Sequence, residues 1–107
     1  MTKVTINPGV CSLKTQVTAT ADEDMIEVNV QVDSMCEAVQ KMFKALGNDF
    51  DAFEICLSQP GTNPFYQYAA KNFPAHSACP TIAGIVKCIE AECGLALPRD
   101  VSITFEK

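Results

Sequence analysis

Apolar and polar residues alternate over the first third of the chain, which is the pattern of half-buried β-strands. The alternation is clearest over 25–32, where every even position carries Ile or Val and Glu, Asn and Gln stand between them. Residues 3–6 and 15–20 show the same period less strictly. We therefore predict strands over these three segments, with the acidic run Asp22-Glu23-Asp24 as the tip of a hairpin.

The hairpin leads to a prediction about two cysteines. Partners across an antiparallel pair have numbers that add to a constant, and a tip centred near Glu23 sets that sum at about 45–47. Cys11 then lies opposite residues 34–36, at the open end of the hairpin. Cys11 and Cys36 are therefore expected to share one end of the sheet.

Helical spacing of apolar residues follows the hairpin. Ser34 and Glu37 have the spacing of a capping box, and Gly47 is a helix-ending glycine, so a first helix is predicted from Ser34 to about Leu46. Its apolar face consists of Met35, Val39, Met42, Phe43 and Leu46. Residues 49–57 fit either a short helix or an irregular segment.

Two more helices are predicted from prolines at helix starts. Asn63-Pro64 has the residues of an N-cap and a first helical position, which predicts a short helix ending at Asn72. Pro80 likewise takes the first position of a last helix, with Cys79 as its cap. That helix runs to about Cys93 and ends at Gly94.

A final alternation over 101–105, Val-Ser-Ile-Thr-Phe, predicts a C-terminal strand. Strands, then helices, then a returning strand are typical of the α+β class. We predict a single α+β domain over 1–107. Its small, mostly antiparallel sheet would combine the N-terminal strands with the C-terminal strand, and about three helices would pack on one face.

Charge excludes two classes of partner. The net charge is −5, and the eight Lys and Arg residues are scattered along the chain. No basic stripe forms that could neutralise phosphates, so neither nucleic acid nor an anionic membrane is an expected partner. A protein or small-molecule partner is left unspecified, and an exposed sheet edge would suit a homodimer.

The N-terminal residues contain no apolar run of the kind found in a signal peptide, and no segment approaches the roughly 20 apolar residues of a membrane span. These features predict a cytoplasmic location. Because the cytosol keeps thiols reduced, the six cysteines are not expected to form a disulfide framework.

Helix geometry sorts the six cysteines into two groups. A thiolate is stabilised at a helix N-terminus, which is where Cys79 and Cys36 are predicted, and Cys11 follows a Pro-Gly turn with free backbone amides. The other three read as reduced, buried core thiols: Cys93 on the apolar stripe of the last helix, Cys88 on its flank, and Cys56 in an apolar run.

His76 stands three residues before Cys79 in a proline-bounded turn. Together with Cys11, Cys36 and Cys79 it would complete a Cys₃His set, which suits tetrahedral zinc or an iron–sulfur cluster. The chain contains no Cys-x-x-Cys pair, the stronger signal for such a site. A histidine hydrogen-bonded in a surface turn is the alternative.

The chain resembles a small, functionally uncharacterised family found mainly in anaerobic prokaryotes. The residues that carry the resemblance are Asn7-x-Gly9-x-Cys11, Cys36, His76-x-x-Cys79-Pro80, Gly84-Ile85 with Lys87, and the run from Gly94 to Ile103. The family pattern includes Cys11, Cys36 and Cys79 but not Cys56, Cys88 or Cys93. The resemblance implies no known activity, although an anaerobic setting would tolerate an oxygen-sensitive cluster.

The His-x-x-Cys-Pro run is also similar, more weakly, to the osmotically inducible and organic-hydroperoxide-resistance family. That resemblance implies peroxide reduction by two cysteines with an arginine–glutamate pair. This chain is shorter, and its only arginine, Arg99, stands late beside a proline.

Three functions remain open on these observations. The first is binding of a metal ion or iron–sulfur cluster through Cys11, Cys36, Cys79 and His76. The second is thiol redox chemistry with Cys79 as nucleophile and Cys36 or Cys11 as resolving partner. The third is a non-catalytic, dimeric module whose cysteines only pack.

Overall fold

The computed structural model describes all 107 residues as four strands and four helices. The strands form one antiparallel sheet in the order β1-β2-β3-β4, which confirms the predicted α+β class. In chain order the elements are β1 (Thr2–Ile6), β2 (Thr15–Ala21), β3 (Glu27–Ser34), α1 (Glu37–Leu46), β4 (Asp49–Asp51), α2 (Ala52–Cys56), α3 (Pro64–Asn72) and α4 (Thr81–Glu92).

The sheet has one buried face and one wet face. Val17 of β2 is fully buried and stands opposite Val4 of β1 and Val32 of β3. The neighbouring Gln16 is exposed on the other face. Helix α4 packs against β1 and β2, and α1 packs against β3. The period-2 pattern therefore identified the face that the helices cover.

The register of the β2–β3 hairpin differs from the predicted one. Thr15 pairs with Ser34, so partner numbers add to 49. The turn is wider than expected because the Asp22 carboxylate accepts the N–H groups of Ile26 and Glu27, at 3.0 and 3.4 Å. Met25 takes a left-handed conformation, φ 57°, within this turn. The additional turn residues shift the pairing of β2 with β3, but the same side chains of each strand remain on the buried face of the sheet.

Residues 49–57 contain both a strand and a helix, where only a short helix or an irregular segment was predicted. Phe50 pairs with Val28 in β4, and α2 follows at once. The Phe50 ring packs against Phe65 and Phe43, with centroid distances of 4.9 and 6.0 Å. The strand is only three residues long, too short for a period-2 signal to stand out.

The start of α1 also differs from the prediction. Its N-cap is Cys36, which makes no side-chain capping bond, and Glu37 is the first helical residue. The Ser34 hydroxyl lies 2.8 Å from Thr15 Oγ1 and accepts the N–H of Cys36 at 3.0 Å. The predicted capping box is therefore wrong, because Ser34 ends β3 and is bonded across the sheet. Met35, placed by the pattern on the apolar face, is 63% exposed.

The predicted C-terminal strand is wrong. Residues 97–107 form no helix or strand, and β1 has β2 as its only neighbour in the sheet. Val101, Ile103 and Phe105 are 67, 83 and 93% exposed. An alternating pattern indicates that a segment is suited to a sheet, but it does not determine whether the segment pairs with a strand of its own chain.

Helices α1 and α4 run parallel and begin at the same end of the sheet. Gly84, in the first turn of α4, lies against Ile6 at the end of β1, and Glu92 in the last turn bonds to Thr2 at its start. Helix α4 therefore runs antiparallel to β1. Helix α1 leaves the end of β3 and returns to β4, which pairs with the start of β3. Since β1 and β3 share one direction, both helices point the same way.

Gly84 allows α4 to approach β1 closely. A Cβ atom built at this position would lie 2.6 Å from Cδ1 and 2.7 Å from Cγ1 of Ile6. Both distances are shorter than carbon atoms tolerate, and Ile6 is itself only 8% exposed. The helix is thus seated at a distance that only glycine permits.

We expect Gly84→Ala to lower the free energy of unfolding by about 1–2 kcal/mol, because overpacking outweighs the usual gain from replacing a helical glycine. Urea denaturation measures the change. In an Ile6→Ala background the clashing atoms are gone, so the same substitution should there be neutral or stabilising. Stabilisation in the wild-type background would contradict this account of the contact.

The other end of α4 is held by the Glu92 carboxylate. Oε1 accepts the Thr2 hydroxyl at 2.7 Å and Oε2 accepts the Ala21 N–H at 2.9 Å. The ammonium of Met1 lies 3.1 Å from Oε1. Burial alone would raise the pKa of Glu92, but these donors and the positive charge hold it below its usual value. One side chain thus ties the last turn of α4 to both β1 and β2.

We expect Glu92→Gln to destabilise the fold by about 1–3 kcal/mol at neutral pH. Because the folded pKa of Glu92 is lowered, its contribution is fully present above the unfolded pKa and is lost as the pH falls through the folded one. The stability difference between wild type and variant should therefore shrink below about pH 4. Thermal melts across pH measure it, and a pH-independent difference would argue against an ionised Glu92.

Candidate functional site

The two parallel helices place three cysteines at one end of the molecule. This cysteine end consists of the strand residues Ile6, Thr15 and Ser34 with Cys11, Cys36 and Cys79 beyond them. Cys36 begins α1, Cys79 precedes α4, and Cys11 lies in the β1–β2 connector. Both helices direct the positive ends of their dipoles, and their unpaired first N–H groups, towards this end. The cysteine end therefore favours negative charge.

Cys79 is held by a tight turn immediately before α4. Its N–H donates to the carbonyl of His76 at 3.3 Å, and its thiol lies half-buried, 3.4 Å from Thr81 Oγ1. The N-cap of α4 is Pro80. The prediction had placed Cys79 at the N-cap and Pro80 at the first helical position. The predicted cap is thus wrong by one residue, since Pro80 has ψ near 0° and the helix begins after it. The sulfur still lies next to the start of the helix.

His76 is exposed, and its side chain makes no hydrogen bond within the chain. Its carbonyl, rather than its imidazole, is the group that contacts Cys79. His76 therefore lies in a surface turn, as in the alternative prediction, but without the hydrogen bond that the alternative gave its imidazole. The imidazole is free to meet a ligand, but nothing orients it towards the thiol.

Cys36 is half-buried and packs against the edge of the core. Its carbonyl accepts the N–H of Gln40 at 3.1 Å in the first turn of α1. The thiol makes no hydrogen bond. Cys36 therefore presents a sulfur at a helix start without the capping bond that Ser or Asn would make.

Cys11 is exposed in the connector over residues 7–14. Gly9 has φ 99° and Ser12 φ 59°, and the Ser12 N–H donates to the Gly9 carbonyl at 2.9 Å. The connector is tied to the start of α1 because the Lys14 carbonyl accepts the N–H of Met35 at 2.9 Å. The predicted placement of Cys11 at the same end as Cys36 is confirmed, although Cys11 lies in a loop rather than opposite residues 34–36 in the ladder.

The cysteine end does not bring these side chains into a preformed ligand set. No three His, Cys, Asp or Glu side chains of the chain are grouped so that they could hold one metal ion. The residues of the predicted Cys₃His set, Cys11, Cys36, Cys79 and His76, therefore lie in the same part of the molecule but are not arranged to coordinate one ion. The members of this set come from three connections of the chain: Cys11 between β1 and β2, Cys36 between β3 and α1, and both His76 and Cys79 between α3 and α4.

The remaining cysteines belong to the core around α4. Burial raises the pKa of Cys88, whose thiol donates to the carbonyls of Thr2 and Val17 at 3.3 and 3.8 Å. Burial also raises the pKa of Cys93 and brings that of Cys56 to about 12. The predicted burial of Cys88 and Cys93 is confirmed, whereas Cys56 is only half-buried.

Two polar side chains near Cys79 were missed by sequence reasoning. Thr81 is 2% exposed and places its hydroxyl beside the sulfur. Burial raises the pKa of Tyr66, and the negative charge that Cys79 can carry raises it further, so this phenol lies within electrostatic range of the thiol. The position of Thr81, two residues after Cys79, offered a weak signal, whereas Tyr66 comes from another helix and offered none.

No deep cleft adjoins the cysteine end. The two best-formed depressions are shallow and open, with volumes near 200 and 230 Å³, and neither is lined by a cysteine. The larger is bordered by Thr5, Lys14, Gln16, Asp33 and others on the sheet. Neither depression therefore encloses a thiol of the cysteine end.

Comparison with known proteins identifies the family. The sequence model of a family of unknown function (DUF6951) matches residues 2–105. The chain belongs to this family. No curated protein and no solved structure matches the chain. The match extends through Phe105 and so includes the exposed C-terminal segment of this DUF6951 member.

The cytoplasmic location and the absence of a nucleic-acid partner stay predictions. None of the helices is long and apolar enough to cross a bilayer.

The burial of Cys88 and Cys93, together with the pKa of about 12 of the half-buried Cys56, predicts two classes of thiol reactivity. With a maleimide at neutral pH, Cys11, Cys36 and Cys79 should react in the folded protein, whereas Cys56, Cys88 and Cys93 should react only after denaturation. Intact-mass spectrometry counts three additions first and six in denaturant. Rapid labelling of Cys88 or Cys93 under native conditions would contradict the assignment.

Proposed function

We propose that the cysteine end carries out thiol–disulfide exchange, with Cys79 as the attacking thiol. The observation that carries the proposal is the position of the Cys79 sulfur: half-buried, directly before α4, and 3.4 Å from the Thr81 hydroxyl. The start of α4 stabilises negative charge there. When the thiol ionises, the Thr81 hydroxyl can reverse its role and donate to the thiolate. A single accessible thiol needs no preformed cluster.

The chemistry is a pair of exchange steps. The Cys79 thiolate attacks one sulfur of a substrate disulfide, the substrate S–S bond breaks, and one substrate thiolate leaves. The thiolate of Cys36 or Cys11 then attacks the Cys79 sulfur of the mixed disulfide and releases the second substrate thiolate. Two protein thiols are oxidised to a disulfide while the substrate disulfide is reduced by two electrons. An external dithiol returns the protein to its starting state.

The open surface points to the class of substrate. Because no enclosed pocket adjoins Cys79, recognition of a small disulfide would have few contacts to use. An exposed disulfide on another protein reaches the thiol without a cleft. We therefore propose a protein disulfide as the substrate class.

A model disulfide that releases a coloured thiolate tests the reaction. Wild type should release two equivalents of chromophore at neutral pH and keep none bound, because the resolving cysteine displaces the second. Cys79→Ser should slow the fast phase by at least about tenfold, and Thr81→Val by a few-fold. Cys56→Ser is the matched control and should leave both phases unchanged. An unaltered fast phase in Cys79→Ser would refute the role of Cys79.

Zinc or an iron–sulfur cluster is the second candidate, with Cys11, Cys36 and Cys79 as ligands and His76 as a fourth ligand. It is favoured by the location of Cys11 and Cys79 on connectors that meet at the cysteine end, since a metal can draw ligands on loops together as it binds. The separate placement of the thiols in the structure makes it the weaker of the two. The chemistry that the metal would supply lies beyond the side chains described.

Elemental analysis and absorption spectra of protein prepared without oxygen separate the two candidates. Stoichiometric zinc or iron, lost in Cys11→Ser and in Cys79→Ser, would support the metal site and contradict simple exchange. Metal-free protein with a fast Cys79 would support exchange. If all three Cys→Ser variants change neither property, the cysteines only pack and both proposals fail.

A further inference from the structure

The C-terminal segment over residues 101–105 exposes three large apolar side chains. Val101, Ile103 and Phe105 are 67, 83 and 93% exposed, and they alternate with Ser102 and Thr104. No hydrogen bond joins residues 100–107 to the rest of the chain. Three large apolar side chains on one face of an extended segment are typical of a strand that is buried on one side.

The sheet offers one long free edge. β1 pairs with β2 alone, so the backbone groups on its other side have no strand partner. At the opposite edge β4 is only three residues long. Thr2, Val4 and Ile6 of β1 face the helices, while Lys3 and Thr5 are exposed on the wet face. An unpaired edge of five residues is a template for strand addition.

We propose that residues 101–105 of one copy add as an antiparallel strand to the free edge of β1 in a second copy, so that two chains exchange their C-terminal segments. With Ile103 opposite Val4, all three apolar side chains of the segment fall on the helix side of the sheet. Ser102 and Thr104 fall on the wet side, opposite Thr5 and Lys3. A shift of one residue would reverse every one of these placements.

Charge supports the same register. Glu106 then lies diagonally across from Lys3 on the wet face, at a spacing where opposite charges attract. Lys3 has no salt-bridge partner within its own chain. The acidic side chain thus meets the only basic residue of β1.

Chain direction favours a second copy over the chain's own edge. Glu92 contacts Thr2, so the segment leaves α4 at the start of β1, and the direct path along its own β1 runs parallel to that strand. The antiparallel ladder has the more stable hydrogen bonds. In a two-fold dimer each chain gives one strand and receives one, which doubles the buried surface.

The area is sufficient for a stable dimer. An aromatic side chain alone buries about 150–250 Å². Two exchanged segments bury six large apolar side chains together with the edge that each one covers. The total reaches the range of about 1,200–2,000 Å² that is typical of specific interfaces.

Light scattering on a sizing column, in reducing buffer, tests the proposal. We expect wild type to have twice the chain mass of 11.6 kDa, and a chain ending at Pro98 to have the mass of a single truncated chain, with unchanged circular dichroism. Ile103→Asp should weaken the dimer by at least about 100-fold, because it places a charge against the helices. Thr104→Asp, one residue away on the wet face, is the matched control and should retain the dimer.

Hydrogen exchange of the same samples locates the strand. Amides of β1 and of residues 101–105 should be protected in wild type and should lose that protection together in Ile103→Asp. A dimer that survives truncation at Pro98 would overturn the proposal. A monomeric wild type would also overturn it. This holds whether residues 101–105 are protected by pairing with their own β1 or are unprotected and left for another protein to bind. Equal loss of the dimer in Ile103→Asp and Thr104→Asp would overturn the register.

Discussion

The seating of α4 on β1 is the contact from which the rest of the arrangement follows. At one end the backbone of Gly84 lies against Ile6, and at the other the Glu92 carboxylate bonds to Thr2 and Ala21. These two contacts fix both the distance and the direction of the helix. Its N-terminus is thereby placed beside that of α1, and the cysteines that precede each helix come to one end although they lie far apart in sequence.

Burial then divides the thiols by chemistry. Cys88 serves the core, where its sulfur donates to two strand carbonyls, and its pKa is raised because a buried sulfur is costly to ionise. Cys79 lies at the surface beside a hydroxyl and a helix start. The same helix therefore carries an inert thiol at its middle and an accessible one at its beginning. The difference comes from position along the helix rather than from the residue type.

Local patterns predicted much of this architecture. The alternation of Val28, Val30 and Val32 predicted the buried sheet face, and Gly47 and Gly94 predicted the ends of α1 and α4. The hairpin predicted that Cys11 and Cys36 share one end of the sheet, and helix position predicted the burial of Cys88 and Cys93. These inferences succeeded because each depends on residues close in sequence or on a single hairpin.

Failures arose where a distant partner decides the structure. Ser34 was assigned to a helix cap, but its hydroxyl is bonded to Thr15 across the sheet. Residues 101–105 carry a strand pattern but pair with no strand of their own chain. The grouping of Cys11, Cys36, Cys79 and His76 into one ligand set needed side-chain geometry that spacing cannot supply, and Tyr66 reaches the neighbourhood of Cys79 from another helix.

The hydrogen bond between Thr2 and Glu92 joins residues 90 positions apart. Contacts of such separation form late in folding, because closing a long loop costs entropy before any contact compensates for it. The β2–β3 hairpin and α1 are local and can form first, whereas β1 gains its helical cover only when α4 arrives. Until α4 docks on β1 and β2, Cys88 is not buried, so this core thiol is open to chemical attack in any partly folded chain that lacks the contact.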